Sequence, residues 1–313
     1  MIGPLPPLTG STALITGGNS GIGLGIAGGL ASVGAHVIIA ARNPHKNAAA
    51  TRALRTAVPG ASVEAVPVDL SDFSSVVSLA QMIRGRGPLD ILIADAGLIL
   101  LGDRKRHQTV DGMELHFQTN FLGHAALIEM VRPSLEQGRV DGRGAVVVAQ
   151  SSVAAEVARI HWGDLQLEHS YSAFRAYAQS KLALTLWALA QGQQTSKVDW
   201  ENGHPRFAIA HPGIAPGTGI AGHLRTLLPA GFVDHVTAHM GNPPAMAALP
   251  SLMAIADTNP TGKMYVPDGW LEFQGPPALA PQFRRAQSLD DQARMAQATQ
   301  GLLLGSHALA EFL

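Results

Sequence analysis

Between residues 13 and 40 the chain passes from an aliphatic run, Ala13–Thr16, into a turn holding Gly17, Gly21 and Gly23. It continues through an Ala/Gly/Leu-rich stretch, Gly21–Val33, to a second aliphatic run, His36–Ala40. Two β-type runs joined by a helix-length segment are too far apart for a tight hairpin. The connection is a crossover, which lays both strands parallel in one sheet. The alternation recurs down the chain. Further strands are expected at Val63–Pro67, Ile91–Ala94, Ala145–Ala149, Phe207–His211 and near Lys263–Val266, and helices at Ala48–Thr56, Phe73–Ile83, Met113–Val131, Tyr171–Gln191 and Ala245–Ala256. The strand runs are continuously apolar rather than alternating, as strands buried on both faces are.

These elements predict an α/β fold: a Rossmann-type, doubly wound parallel sheet of about seven strands with helices on both faces. No repeat or linker divides the sequence, so residues 1–313 read as one domain. Two regions break the rhythm. Residues 214–244 are rich in Gly, Pro and His and follow a strand, where a substrate lid belongs. Residues 267–313 hold proline-rich breaks and then a helix-like stretch, Leu289–Gln300, which reads as a docked tail or an oligomer contact.

A hydrophobic share of 46% against 14% charged residues suits a filled core and argues against disorder. A formal net charge of −1 gives no field that would draw nucleic acid or anionic lipid. Cysteine is missing from the sequence, which excludes thiolate chemistry and disulfide staples. The N-terminal residues lack a basic flank and apolar run, and no uninterrupted apolar stretch reaches membrane-spanning length. The expectation is a cytoplasmic protein without a membrane span.

The glycines are spaced GxxxGxG at the start of a helix, so the backbone of Gly17, Asn19, Ser20, Gly21, Ile22 and Gly23 can approach a phosphate closely. A tight strand–helix turn would use the same residues. The second strand ends Ala40-Ala41-Arg42-Asn43, with no carboxylate before Glu64. An acidic residue there suits a free ribose 2′-hydroxyl and an arginine suits a 2′-phosphate, so Arg42 favours NADP(H) over NAD(H). The bland alternative is a solvated surface arginine. Asp69, followed by Leu70, could accept a hydrogen bond from adenine or cap the next helix.

Taken together, Thr16–Gly23, Asp69-Leu70, Ala94-Asp95-Ala96-Gly97, Asn120, Ser151-Ser152, Tyr177 with Lys181, and Pro212-Gly213 resemble the short-chain dehydrogenases/reductases over about residues 8–266. Two stretches are similar to a retinol dehydrogenase-like branch: His107–Glu114 leading to Asn120-Phe-Leu-Gly-His124, and Arg159-Ile-His-Trp-Gly-Asp-Leu165. The resemblance implies a catalytic tetrad of Asn120, Ser152, Tyr177 and Lys181, with Ser152 preferred to Ser151 as the second of the pair. It implies that Asp95, Ala96, Gly97, Pro212, Gly213 and Thr218 line the cofactor. It also implies that Lys181 bonds the nicotinamide ribose and that Asn120 holds a water leading to solvent. Ser152 precedes Tyr177 by 25 residues, and the retinol-type branch carries a comparable insertion. Asp95 stands where the family usually has asparagine, which removes a donor when the acid is ionised.

Tyr177 and Lys181 lie at i and i+4, on one face of a helix. A free phenol, of pKa about 10, exchanges its proton poorly at neutral pH. An ammonium ~5 Å away, at an effective dielectric of ~20, would stabilise phenolate by roughly 3 kcal/mol, or about two pKa units. An exposed Tyr/Lys pair would look the same in sequence. The resulting expectation is an NADP(H)-dependent oxidoreductase interconverting a ketone or aldehyde and an alcohol. Its substrate is expected to be bulky and apolar, with Tyr177 as general acid/base. The alternatives are an NADP(H)-binding regulatory or scaffold protein without turnover, and dehydration or epimerisation on the same fold. The family's assemblies suggest a homodimer or homotetramer. Thirteen histidines are scattered without ligand spacing, so no metal is expected. Trp162, in the insertion before Tyr177, could touch substrate.

Overall fold

The computed structural model describes residues 3–193, 197–213, 242–309 and 312. Its main sheet has eight strands: β1 Thr12–Thr16, β2 His36–Ala40, β3 Val63–Val66, β4 Ile91–Ala94, β5 Val146–Gln150, β6 Arg206–Ala210, β7 Met264–Pro267 and β8 Pro277–Ala280. Their order is β8-β7-β6-β5-β4-β1-β2-β3. Neighbours from β3 to β7 pair in parallel, and β8 runs antiparallel to β7 at the edge. The expected seven strands are therefore one short of the count. The eighth is easily overlooked because it starts with Pro277, which an edge strand tolerates at its first position.

Seven main helices flank the sheet: α1 Gly21–Ser32, α2 Pro44–Ala57, α3 Phe73–Arg84, α4 spanning residues 115–130, α5 Ala173–Gln193, α6 Leu249–Ala256 and α7 Leu289–Leu304. Alternation along the strands divides the core. Leu14 and Val147 face α3, α4 and α5 on one side, while Ile15 and Val148 face α1, α2 and α6 on the other. The helix expected at residues 113–131 is not regular. It begins at Leu115, after Glu114 accepts the Phe117 N–H at 2.7 Å, and carries a π turn over Gln118–Leu122, centred on Asn120. Such turns often mark functional sites.

Eighteen of the 21 residues of α5 are buried, so it shows no polar stripe and must be covered on nearly all sides. Part of that cover is α7, whose Met295 and Leu303 join the same core as Leu182 and Leu186. Arg294 on α7 stacks over the Trp162 ring at 4.3 Å. The helical part of the expected tail, α7, thus docks on α5. Among the described residues no helix is long and apolar enough to cross a membrane.

Candidate active site

The carboxyl ends of β1, β4, β5 and β6 lie on one edge of the sheet, and most of the sequence candidates arrive there. Gly17 has φ +74, and a Cβ on it would stand 2.9 Å from the Ala96 Cα. A Cβ on Gly23 would meet Asp95 Oδ2 and the Gly17 carbonyl oxygen at 2.7 Å each. Ser20 precedes α1 with extended backbone and its side chain makes no cap, so no hydroxyl from that residue fills the first turn. Bare backbone at the N-terminus of a helix is the cradle that a pyrophosphate needs, and these residues fit one. Asn19 donates to Asn47 Oδ1 at 2.7 Å, and Asn47 donates to the Ala41 carbonyl at 2.9 Å. The glycine turn is thereby tied to the end of β2, where Arg42 is exposed. Asn47 was not among the sequence candidates; only its contact across 28 positions gives it a role.

Asp69 does not cap α3. Asp72 does, accepting from Ser74 N at 2.9 Å, while Asp69 Oδ1 takes the N–H and hydroxyl of Ser71 at 3.0 and 2.6 Å. Leu70 is buried in the core, so only its backbone can face a ligand. On β4 the turn is held from beneath: Thr16 Oγ1 accepts the N–H groups of Asp95 and Ala96 at 3.1 Å each. His124 bridges Thr16 Oγ1 at 2.9 Å and the Asn120 carbonyl at 3.1 Å. Burial, and secondarily the Lys181 charge, pulls His124 down to about 3, so it is a neutral strut.

Asn120 is fully buried. Its Oδ1 accepts from Leu98 N at 2.8 Å, and its Nδ2 donates to the Leu98 carbonyl and Ser180 Oγ, both at 3.0 Å. The side chain thus fastens the residue after Gly97 to α4 and α5.

The serine choice has a geometric basis. Ser151 is buried against Thr185 Oγ1 at 2.8 Å, whereas Ser152 is partly exposed and stands close enough to the Tyr177 phenol to oppose its upward pKa shift. The long interval between Ser152 and Tyr177 is strapped back onto α5. Gln179 accepts from His161 N at 2.8 Å and donates to the Leu165 carbonyl at 2.9 Å.

Lys181 Nζ donates to the Gln150 carbonyl at 2.8 Å. This partner corrects the electrostatic expectation. Burial pushes the Tyr177 phenol up, Ser152 opposes that, and the Asp95 charge reinforces it. Lys181 acts chiefly on Asp95 rather than on the phenol. Burial lowers the ammonium to about 8, with Asp95 resisting, and raises the Asp95 carboxyl to about 6, with Lys181 resisting. Gln150 and His124 are the functional-edge residues that sequence reasoning missed. Gln150 carried one signal, a polar residue ending an otherwise apolar strand.

After β6, the buried His211 ring accepts the Gly213 N–H at 2.9 Å and contacts Glu272 Oε2 at 3.1 Å, fixing the Pro212-Gly213 turn with φ +74 at Gly213. Thr218 and residues 214–241 of the expected lid lie outside the described residues. No group of three or more metal-capable side chains occurs among the described residues.

The sequence profile of the short-chain dehydrogenases matches residues 11–198. The chain is 35% identical over 212 residues to mouse polyprenol dehydrogenase, covering 67% of this chain and 61% of that one. It is 36% identical over 208 residues to human retinol dehydrogenase 12, covering 66% and 62%. It thus spans about three fifths of the length of these curated relatives. Among solved structures, an uncharacterized protein from Mycobacterium paratuberculosis superimposes with a TM-score of 0.73 at 29% identity, covering 95% of each chain. An NADP complex of RhlG from Pseudomonas aeruginosa gives 0.65 at 25% identity, covering 83% of this chain and 96% of that one. Sequence motifs, sheet order and relatives converge: the chain belongs to the short-chain dehydrogenase/reductase family, in its retinol dehydrogenase-like branch.

Proposed function

We propose that this protein is an NADP(H)-dependent oxidoreductase that interconverts a bulky apolar alcohol and its ketone or aldehyde. The observation that carries the reading is the meeting of Ser152, Tyr177 and Lys181 with the Gly17–Gly23 cradle at one sheet edge. The names of two relatives, a polyprenol and a retinol dehydrogenase, support the apolar substrate. The NADP-bound RhlG neighbour supports the phosphorylated cofactor.

The residues present fit a nicotinamide dinucleotide: the first turn of α1 and Gly17 for the pyrophosphate, Arg42 for the 2′-phosphate, Lys181 for the nicotinamide ribose. When bound, that group supplies or accepts the hydride. The protein's own work is placement and proton handling. Ser152, close to the phenol, orients the substrate oxygen. Tyr177, with its pKa raised, keeps its proton at neutral pH and can donate it to a carbonyl oxygen as charge develops there. The same shift makes it a reluctant base in the reverse direction. Reduction is therefore expected to stay level through neutral pH while alcohol oxidation climbs into the alkaline range, as paired initial-rate profiles would show.

Arg42 is exposed at the end of β2 and can reach a phosphate without leaving a buried charge behind. Arg42→Ala is expected to raise KM for NADPH about tenfold, the loss of one charge-assisted contact of roughly 1.5 kcal/mol, with little change for NADH. Steady-state kinetics with both cofactors check this, and equal effects would remove Arg42 from the phosphate site.

A further inference from the structure

Outside the Ser152, Tyr177 and Lys181 group, a second polar cluster is buried at the start of α4: Glu114 is 1% exposed and His116 is fully buried. One Glu114 oxygen accepts the Phe117 N–H, and the other lies 2.8 Å from His116 Nδ1. Across the ring, His116 Nε2 takes the Leu100 N–H at 3.1 Å. A backbone N–H can only donate, so Nε2 must present a lone pair and the ring proton sits on Nδ1, facing Glu114. The imidazole thus links α4 to the loop that leaves β4. The insertion before Tyr177 closes the cluster. Gln166 Oε1 accepts the Glu114 N–H at 2.7 Å, Arg106 Nε donates to the Gln166 carbonyl at 2.7 Å, and the Tyr171 hydroxyl stands 3.5 Å from His116 Nδ1.

Apolar side chains of the same shape often replace a buried polar pair at little cost in stability. What they cannot replace is the acceptor, without which the Leu100 N–H is left unpaired. Leu100 belongs to the run Leu98-Ile99-Leu100-Leu101, which starts at the site itself. A Cβ on Gly97 would stand 3.4 Å from Lys181 Nζ, and Asn120 holds the N–H and carbonyl of Leu98 at 2.8 and 3.0 Å. His116 supplies a further fixed point at Leu100. Ile99 turns into the core, whereas Leu98, Leu100 and Leu101 are half-buried. Leu101, Met113, Trp162 and Leu165 are partly buried against one core cluster, which also contains Tyr177. The loop therefore offers partly exposed apolar surface beside the Tyr177 and Lys181 pair.

We propose that His116 is a positioning residue for the substrate: oriented by Glu114, it fixes the Leu98–Leu101 run as an apolar wall that holds the chain of a bulky alcohol or carbonyl compound beside Ser152 and Tyr177. The substrate class rests on the redox reading above; the hydrogen-bond relay does not.

Two amide substitutions separate the two ring nitrogens. A glutamine amide reaches the place of Nε2 and can accept from Leu100, whereas an asparagine amide reaches only the place of Nδ1 and serves Glu114 alone. His116→Asn is expected to raise KM for decanal about tenfold, the scale of one buried N–H left unpaired, with kcat, KM for NADPH and kcat/KM for butanal within about twofold. His116→Gln should return the decanal KM to within about threefold of wild type. Titration of decanol followed by protein fluorescence reads the wall without turnover, and its Kd should weaken about tenfold in His116→Asn alone. If that binding pattern holds while wild type reduces neither aldehyde, the redox reading fails and the wall stands. Equal losses on decanal and butanal, an unchanged decanal KM, no rescue by glutamine, or no decanol binding by wild type would overturn the proposal. Should His116→Asn not fold, Leu100→Ala trims the wall and leaves the buried relay whole. It must then raise the decanal KM about threefold and spare butanal, and equal effects on both would likewise overturn the wall.

Discussion

Tyr177→Phe is expected to lower the rate of NADPH-dependent carbonyl reduction about 10³-fold while leaving NADPH binding within a factor of about two. General acid–base catalysis by a positioned side chain contributes roughly 10²–10⁴-fold. The substitution removes one hydroxyl and leaves the ring. Tyr177 is 6% exposed and its ring belongs to the core beside Ala178 and Leu182, so the packing that fixes α5 survives. Ser152 remains accessible to the site. Cofactor absorbance gives the rate, and titration of protein fluorescence gives the binding constant. Undiminished turnover would remove Tyr177 from the chemistry. Loss of binding together with rate would make it structural.

The second large effect is expected at Gly17. A valine there must take φ +74 and place its Cβ 2.9 Å from the Ala96 Cα and 3.1 Å from the Ala96 nitrogen. The left-handed backbone costs a non-glycine residue about 1–3 kcal/mol, and overpacking against rigid backbone adds about 1–3 kcal/mol. A loss of roughly 2–6 kcal/mol should lower Tm by about 3–9 °C. Cofactor binding should vanish, because the displaced turn no longer presents α1. Gly60→Val is the control. It has φ +81 with nothing within 4 Å of a Cβ, so it carries the strain without the clash. If Gly17→Val were no worse than Gly60→Val by calorimetry and still bound NADPH, the turn would not be a cradle.

Much of the fold was legible because its strands are short aliphatic runs buried on both faces, a pattern few other elements share. The elements that escaped were those whose reason is long-range. β8 starts on a proline and is a strand only because β7 offers its free edge. The π turn at Asn120 depends on His124, Leu98 and Ser180, the last 60 positions away. For the site, spacing pointed to Tyr177 with Lys181, and the family resemblance implied Ser152. The burial of Ser151 against Thr185 now gives the choice between the serines a cause. Spacing placed Tyr177 and Lys181 on one helix face but could not say where a flexible ammonium goes. It goes to the Gln150 carbonyl, and the phenol pKa rises instead of falling. The unusual acid at position 95 was visible as a departure, but the hydroxyl of Thr16 that holds its backbone N–H became visible only when β1 and β4 were brought together.

The most direct measurement is a crystal structure of the protein with NADP⁺ and a long-chain alcohol. The account predicts the dinucleotide lying across Gly17–Gly23 with its 2′-phosphate at Arg42. It also predicts the alcohol oxygen within hydrogen-bonding distance of both the Tyr177 and Ser152 hydroxyls, next to C4 of the nicotinamide. A dinucleotide bound elsewhere, or a nicotinamide ring that Tyr177 cannot reach through the substrate oxygen, would contradict it.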